Sequence, residues 1–307
     1  MLTVDTEEEF DWSRKVGESE YGLDHVPRLR KFQEFCENEG VVPVYLVDWP
    51  IATSSLAAEI LKEPLARGDA EIGIQLHPWV NPPIVEEVND RNSYAGNLPR
   101  ELEEQKILRL RQEIEKNFGV APIIYRAGRY GVGPATVEIL REQGVAVDTS
   151  VRSLFDYSYL GGPNFRDHPL WPYWLDEQRT VIELPLTTVF WGLLRKQGRL
   201  LYPGLWRAPR MRGLLVRLGL LERIPLTPEG VTVEEAIRAI DIALDDGLEL
   251  MMFSFHSPSL RPGHTPYVRS EEDLDTLYDW WRKIFAYLKQ RSVAPAGVKQ
   301  VMDAVER

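Results

Sequence analysis

Asp5 and Glu7 stand two residues apart at the end of a short apolar run, Leu2-Thr3-Val4. On an extended strand that spacing sends both carboxylates to one side. Such a pair suits one metal ligand and one general base, since a metal lowers the pKa of its water and the base needs no unusual pKa of its own. His77 ends the run Ile74-Gln75-Leu76, and Pro78 behind it restricts the backbone to extended geometry, which helps to fix a ligand ring. His256 ends Phe253-Ser254-Phe255, where an apolar strand delivers one polar ring able to serve as a general acid. Arg126 sits between Tyr125 and Ala127-Gly128, and an Arg among acids is expected to pair with one of them. Any one of these is more often an ordinary loop residue. Together they form a set able to assemble a metal-dependent hydrolytic site.

The elements that would carry them alternate in type. Strand signals fall at residues 2–5, 42–47, 71–76, 122–125, 145–149, 181–184 and 248–255. Helical spacing appears at 25–38, 54–66, 100–118, 134–143, 233–245 and 271–289. Such alternation implies parallel strands joined by helical crossovers. The number of units and the absence of a Gly-rich phosphate loop favour an α/β fold, a distorted (β/α) barrel of about seven parallel strands. In a barrel, residues just past the C-terminal strand ends converge on one face. Asp5, Glu7, Asp48, Gln75, His77, Arg126, Asp148, Glu183 and His256 all fall there. Glu8 and Glu9 read as solvated charge, and His25 and His168 have no comparable context. His264 lies on a loop near the last strand. The chain reads as a single domain over 1–307, with an insertion near 186–230 that includes an Arg-rich helix at 211–221.

Composition narrows the partners. Asp plus Glu number 47 against 36 Lys plus Arg, a net charge of -11, which argues against nucleic acid. Cys36 is the single cysteine, so neither an internal disulfide nor a Cys-based zinc site is possible. No signal-peptide pattern opens the sequence, and no apolar run approaches the ~20 residues of a membrane span. A cytoplasmic location is expected; the oligomeric state is not readable.

In this order the motifs resemble those of the polysaccharide deacetylases with a NodB-type domain, the WalW-like subgroup in particular. Thr3-Val4-Asp5-Thr6-Glu7 is similar to the first motif, Glu71 through His77-Pro78-Trp79 to the second, and Tyr125-Arg126 through Gly131 to the third. Asp148-Thr149-Ser150 resembles the fourth and Phe255-His256-Ser257-Pro258 the fifth. The resemblance implies metal-assisted removal of an acyl group, chiefly N-acetyl, from an amino sugar or polysaccharide. Asp5 would be the base, Arg126 its orienting partner, His256 the acid, and Glu7 and His77 the ligands of a divalent metal, zinc. Trp79, Arg129, Tyr130 and Asp148 would contact substrate. Two departures stand out. Asp5 and Glu7 are separated by Thr6, and Gln75 and Trp79 occupy positions where the family places ligand histidines. Zinc normally takes three protein ligands, so Gln75, Asp48 or Asp5 would have to supply the third. Other readings are a metal-independent amidase on a non-sugar C–N bond and a non-catalytic carbohydrate-binding relative with Trp79, Trp171, Tyr173 and Trp174 as stacking surfaces.

Overall fold

A computed structural model describes residues 1–11, 14, 16–17, 20–206 and 208–305, and all but the side chains of Trp206 and Pro209 within them. In chain order it contains β1 (Leu2–Thr6), α1 (Arg28–Glu39), β2 (Pro43–Val47), α2 (Trp49–Ala52), α3 (Ser55–Arg67), β3 (Glu71–Leu76), α4 (Arg100–Phe118), β4 (Ile124–Ala127), α5 (Thr136–Glu142) and β5 (Val147–Asp148). There follow β6 (Tyr173–Trp174), β7 (Ile182–Glu183), β8 (Thr188–Trp191), α6 (Gly198–Trp206), α7 (Pro209–Arg217), β9 (Glu222–Pro225), α8 (Val233–Asp245), β10 (Phe253–His256), α9 (Glu271–Gln290) and α10 (Val298–Val305).

Eight strands form one sheet, ordered β10-β1-β2-β3-β4-β5-β7-β6 and curled into a half-barrel. Every pair is parallel except β6 with β7. The expected seven parallel strands are therefore present, and the eighth is the antiparallel β6, in a stretch whose clustered aromatics carry no alternation. Among the described residues no ladder joins β10 to β6 or β7, so the barrel stays open. The chain around the β8–β9 hairpin bridges part of the gap: Thr187 N donates to Met252 O, Leu226 N to Thr187 O, and Ser254 N to Leu226 O. That hairpin, with α6 and α7, is what the 186–230 segment contributes.

The two-residue period of the strands sorts the side chains into layers. Leu2 and Val4, Tyr45 and Val47, Ile72, Ile74 and Leu76, Tyr125 and Ala127, and Phe253 and Phe255 belong to the large core beneath the helices. Val44, Leu46, Ile124, Val147, Ile182 and Met252 form a second core within the curl. Asp5, Gln75, Arg126 and His256 alternate with first-core residues and so take the inner side. Register aligns them, with Asp5 beside His256 and Gln75 beside Arg126. The helices end where their sequences say. Thr232 with Glu235 and Ser270 with Asp273 form reciprocal capping boxes for α8 and α9.

Candidate active site

The base of the site is a buried ion pair. Asp5, at the end of β1, is held by the Arg126 guanidinium from β4. Arg126 is itself fixed by Thr149 O at 3.0 Å and Thr3 Oγ1 at 2.9 Å. The second oxygen of Asp5 lies 3.7 Å from His256 Nε2. The other ring nitrogen of His256 meets Glu229 Oε2 at 2.6 Å. Burial disfavours charge on His256, but Glu229, Glu7 and Asp5 outweigh it and raise the ring to about 10. These acidic neighbours favour the imidazolium form of His256, whose Nε2 faces the Asp5 side chain.

Beside this pair, Glu7, Gln75 and His77 converge. Glu7 Oε2 lies 3.4 Å from His77 Nε2 and accepts from Gln75 Nε2 at 3.0 Å. The same amide nitrogen is 3.3 Å from His77 Nε2. Burial pushes Glu7 up to about 8, and both Glu7 Oε1 and Gln75 Oε1 are buried without a hydrogen-bond partner. The His77 ring is oriented from behind: Nδ1 meets Glu8 Oε2 at 2.7 Å, and Trp79 stacks on the ring at 4.3 Å while donating to Glu8 Oε1 at 2.7 Å. With Nδ1 donating to Glu8, Nε2 turns its lone pair toward Glu7 and Gln75, as a ligand histidine supported by a carboxylate does.

Two orphaned oxygens, a buried carboxylate and a directed imidazole fit a divalent cation. The donors that could hold it are Glu7, His77 and, after rotation of its amide, Gln75 Oε1; which end is oxygen is an assignment from the hydrogen-bond network. Asp48 and Asp5, the other candidates for third ligand, are placed elsewhere. Asp48 accepts from Glu8 N and from Ile51 N, capping α2, and approaches His77 only on its Nδ1 side at 4.0 Å. Burial and Glu8 push Asp48 well above the usual carboxylate range. Glu8, Asp48 and His77 lie close enough to share an ion; in this structure Glu8 hydrogen-bonds the His77 ring at 2.7 Å, and Asp48 stands 4.0 Å from the same nitrogen.

Glu8 and Glu9 are not solvated. Glu8 is fully buried and Glu9 nearly so. Glu9 Oε1 meets His25 Nδ1 at 2.9 Å, His25 Nε2 meets Ser257 Oγ at 2.8 Å, and Ser257 Oγ accepts from Glu7 N at 3.3 Å. This buried relay ties α1, β10 and the turn after β1 together, and His264 joins it at 3.3 Å from Glu9. Sequence spacing gave no sign of His25 or Glu229. The first precedes a helix, and the second sits in a Pro-Glu-Gly turn far from β10 in the chain. Ser257 was within reach, because it follows His256 directly.

Gly128 is required by packing: a side chain there would meet the His77 ring and Leu76 O, the latter at 2.7 Å. Arg129 and Tyr130 follow in left-handed backbone, with φ of 54° and 61°, a strain often found where a scaffold fixes a functional side chain. Arg129 binds Ser93 Oγ at 2.5 Å and covers the Tyr94 ring. With Trp79 it lines a cleft of about 670 Å³. Tyr130 lines a smaller recess with Arg152, Glu229 and Tyr267. Asp148 is not brought to this cluster. Its register partner is Tyr125, so it faces the helix layer, where Oδ1 accepts from Ser150 N and Oγ and shapes the turn whose Thr149 carbonyl holds Arg126.

Neither a protein-family model nor a curated protein matches this sequence. Solved structures do. A candidate glycoside hydrolase/deacetylase from Parabacteroides distasonis is similar at 12% identity and TM-score 0.58, over 94% of this chain and 66% of that one. The 4-alpha-glucanotransferase of Thermococcus litoralis is similar at 14% identity and TM-score 0.51, over 99% of this chain; the chain spans only 38% of that enzyme. A candidate polysaccharide deacetylase from Mycobacterium smegmatis has 19% identity and TM-score 0.46, over 90% of this chain and 80% of that one. At these identities the first two share the half-barrel architecture with this chain.

Proposed function

We propose that this protein is a hydrolase that removes an N-acetyl group from an amino sugar or polysaccharide, in the manner of the NodB-type deacetylases and of their WalW-like subgroup. One observation carries the reading: an Arg-held carboxylate and a carboxylate-held imidazolium face each other across adjacent strand ends, 3.7 Å apart. That is the arrangement of a general base and a general acid.

Asp5 takes the proton of the attacking water. Arg126 fixes the carboxylate in place. His256, kept protonated by Glu229, gives its proton to the departing amine, which must leave neutral. Glu7, His77 and Gln75 are the groups that would hold a divalent cation, and such an ion supplies polarisation of the amide carbonyl. Trp79, Arg129 and Tyr130 border the cleft and recess beside these groups and are assigned to the sugar. Asp148 is assigned to support of Arg126 through the 148–150 turn.

Asp5→Asn should lower acetate release about 10²- to 10⁴-fold, the worth of a general base, with an unchanged circular dichroism spectrum. Full activity in this variant would refute the assignment. A second reading, a metal-independent amidase, is favoured by the Gln75 amide nitrogen lying between Glu7 and His77. Metal analysis separates the two: stoichiometric metal and loss of activity on chelation support the first, and metal-free, chelator-insensitive activity the second.

A further inference from the structure

The loop between β5 and β6 and the segment between β7 and α8 together build a second cavity that the hydrolytic chemistry leaves unused. It measures about 480 Å³ and is lined by Phe155, Tyr157, Phe190 and Tyr202 together with Arg166, Arg199 and Arg223. Among the described residues Asp156 is the one carboxylate in this lining, and it is engaged by Ser158 N and Oγ and lies 3.6 Å from Arg166. Three cations against one anion make this a positive cavity on a chain of net charge -11. Local charge of that sign concentrates anions whatever the sign of the whole molecule.

The cations are arranged on rings. Arg223 lies 3.4 Å from the centroid of Phe155 and 4.6 Å from that of Tyr202. Arg152 covers the other partner of this group, 4.0 Å from Phe155 and 5.3 Å from Tyr130. Two guanidinium groups sharing one phenyl ring repel each other, and burial with that repulsion lowers Arg223 to about 10. Arg166 Nε is buried without a hydrogen-bond partner. No ion pair engages Arg199 among the described residues. An anion placed here would relieve the repulsion and meet planar donors suited to a carboxylate or phosphate. The exposed Tyr159 and the Tyr157 ring add surfaces on which a flat ring can stack.

One ring contact links the cavity's lining to the recess beside the candidate active site. Tyr157 stacks on Tyr130 at 5.7 Å. Tyr130 shares its recess with Glu229, the partner of His256. We propose that this cavity is a subsite for an anionic pyranose, a hexuronate or a phosphorylated sugar, carried by the same glycan whose acylated ring reaches Asp5. The assignment rests on the hydrolase reading for the second half of that statement only. The cavity's preference for an anionic sugar stands on its own lining.

The test is equilibrium binding by calorimetry, without turnover, on the full chain. Three tetrasaccharides serve as probes: neutral N-acetylchitotetraose, an N-acetylhexosamine–hexuronate repeat, and a chitotetraose bearing a 6-phosphate. The acidic probes should bind about 10-fold or more tightly than the neutral one at low salt, with the gap closing as salt rises. Arg199→Gln with Arg166→Gln should collapse that gap while the circular dichroism spectrum is retained. Preference for the uronate over the phosphate assigns the carboxylate form, and the reverse assigns the phosphate. Equal affinity for neutral and acidic probes would overturn the proposal. So would an acid preference that survives the double substitution, or inorganic phosphate binding as tightly as the sugars. Failure to release acetate from any probe that binds would count against the hydrolase reading and leave the anionic subsite intact.

Discussion

His256 and Asp5 occupy neighbouring register positions, yet different partners decide their roles. Glu229 raises His256 to about 10 against the opposing effect of burial. An acid must carry its proton, so activity that depends on it declines as pH climbs through that value. Glu229→Gln keeps an oxygen to accept from His256 N while removing the negative charge. The alkaline limb of kcat/KM should then move to lower pH, toward the ordinary range of imidazole, and an unmoved limb would show that His256 is not the acid. Ser257 acts at one remove. Ser257→Ala leaves Glu7 N–H and His25 Nε2 without their partner, a loss of about 1–3 kcal/mol in stability. Because the freed turn carries Glu7, metal affinity measured against a competing chelator should also weaken, and Ser257→Thr should restore it. Equal affinity in Ser257→Ala and the parent would confine the relay to folding.

At the scale of elements, the outer face of β5 and β7 holds a buried carboxyl pair. Asp148 and Glu183 are register partners, and burial pushes Asp148 up to about 6 and Glu183 well above the carboxylate range. A carboxyl raised in the folded state holds a proton that the unfolded chain releases. Stability from Asp148 is therefore fully present below pH ~4 and lost as pH rises through about 6, and that from Glu183 is lost as pH rises through its own raised value. Glu183→Gln removes one titrating group, so its stability relative to the parent should grow as pH rises above ~4 in urea unfolding; a constant difference would contradict the shift. The same strands show what was legible in sequence. β1, β3 and β10 announced themselves, because an apolar alternation ends in a single polar residue, and Asp5, His77 and His256 were read from that break. Arg126 was placed after its strand, but the strand runs two residues later than its Pro-flanked start suggested and carries Arg126 within it. Asp148 misled because proximity to a strand end does not say which face a residue takes. Register with Tyr125 does. Glu8 hid in an acidic run where three like charges resemble a solvated turn, and only the tertiary partners His77, Trp79 and Asp48 explain its burial.

For the molecule as a whole, the gap in the half-barrel is partly bridged by the chain around a hairpin rather than filled by another parallel strand. Val189 and Ile224 of β8 and β9 belong to the main core, whereas Leu154, Tyr202, Leu205 and Leu221 form a separate cluster under α6 and α7. Trp191 and Glu222 are paired, so a two-residue Asn-Gly turn can replace residues 192–221. The shortened protein should keep one cooperative thermal transition and its acetate release from short substrates, while losing the positive cavity. Collapse of the transition would show that the inserted helices are integral to the fold. No helix among the described residues is long and apolar enough to cross a membrane. The Asp5–His256 pair is the centre of the proposed chemistry, and its most direct test is product balance. Chitooligosaccharide is incubated with the metal-supplemented protein, and acetate and new free amine are both quantified. One acetate for each amine, with both abolished in Asp5→Asn, is the predicted result. No acetate from the parent protein, or equal release by parent and variant, would contradict it.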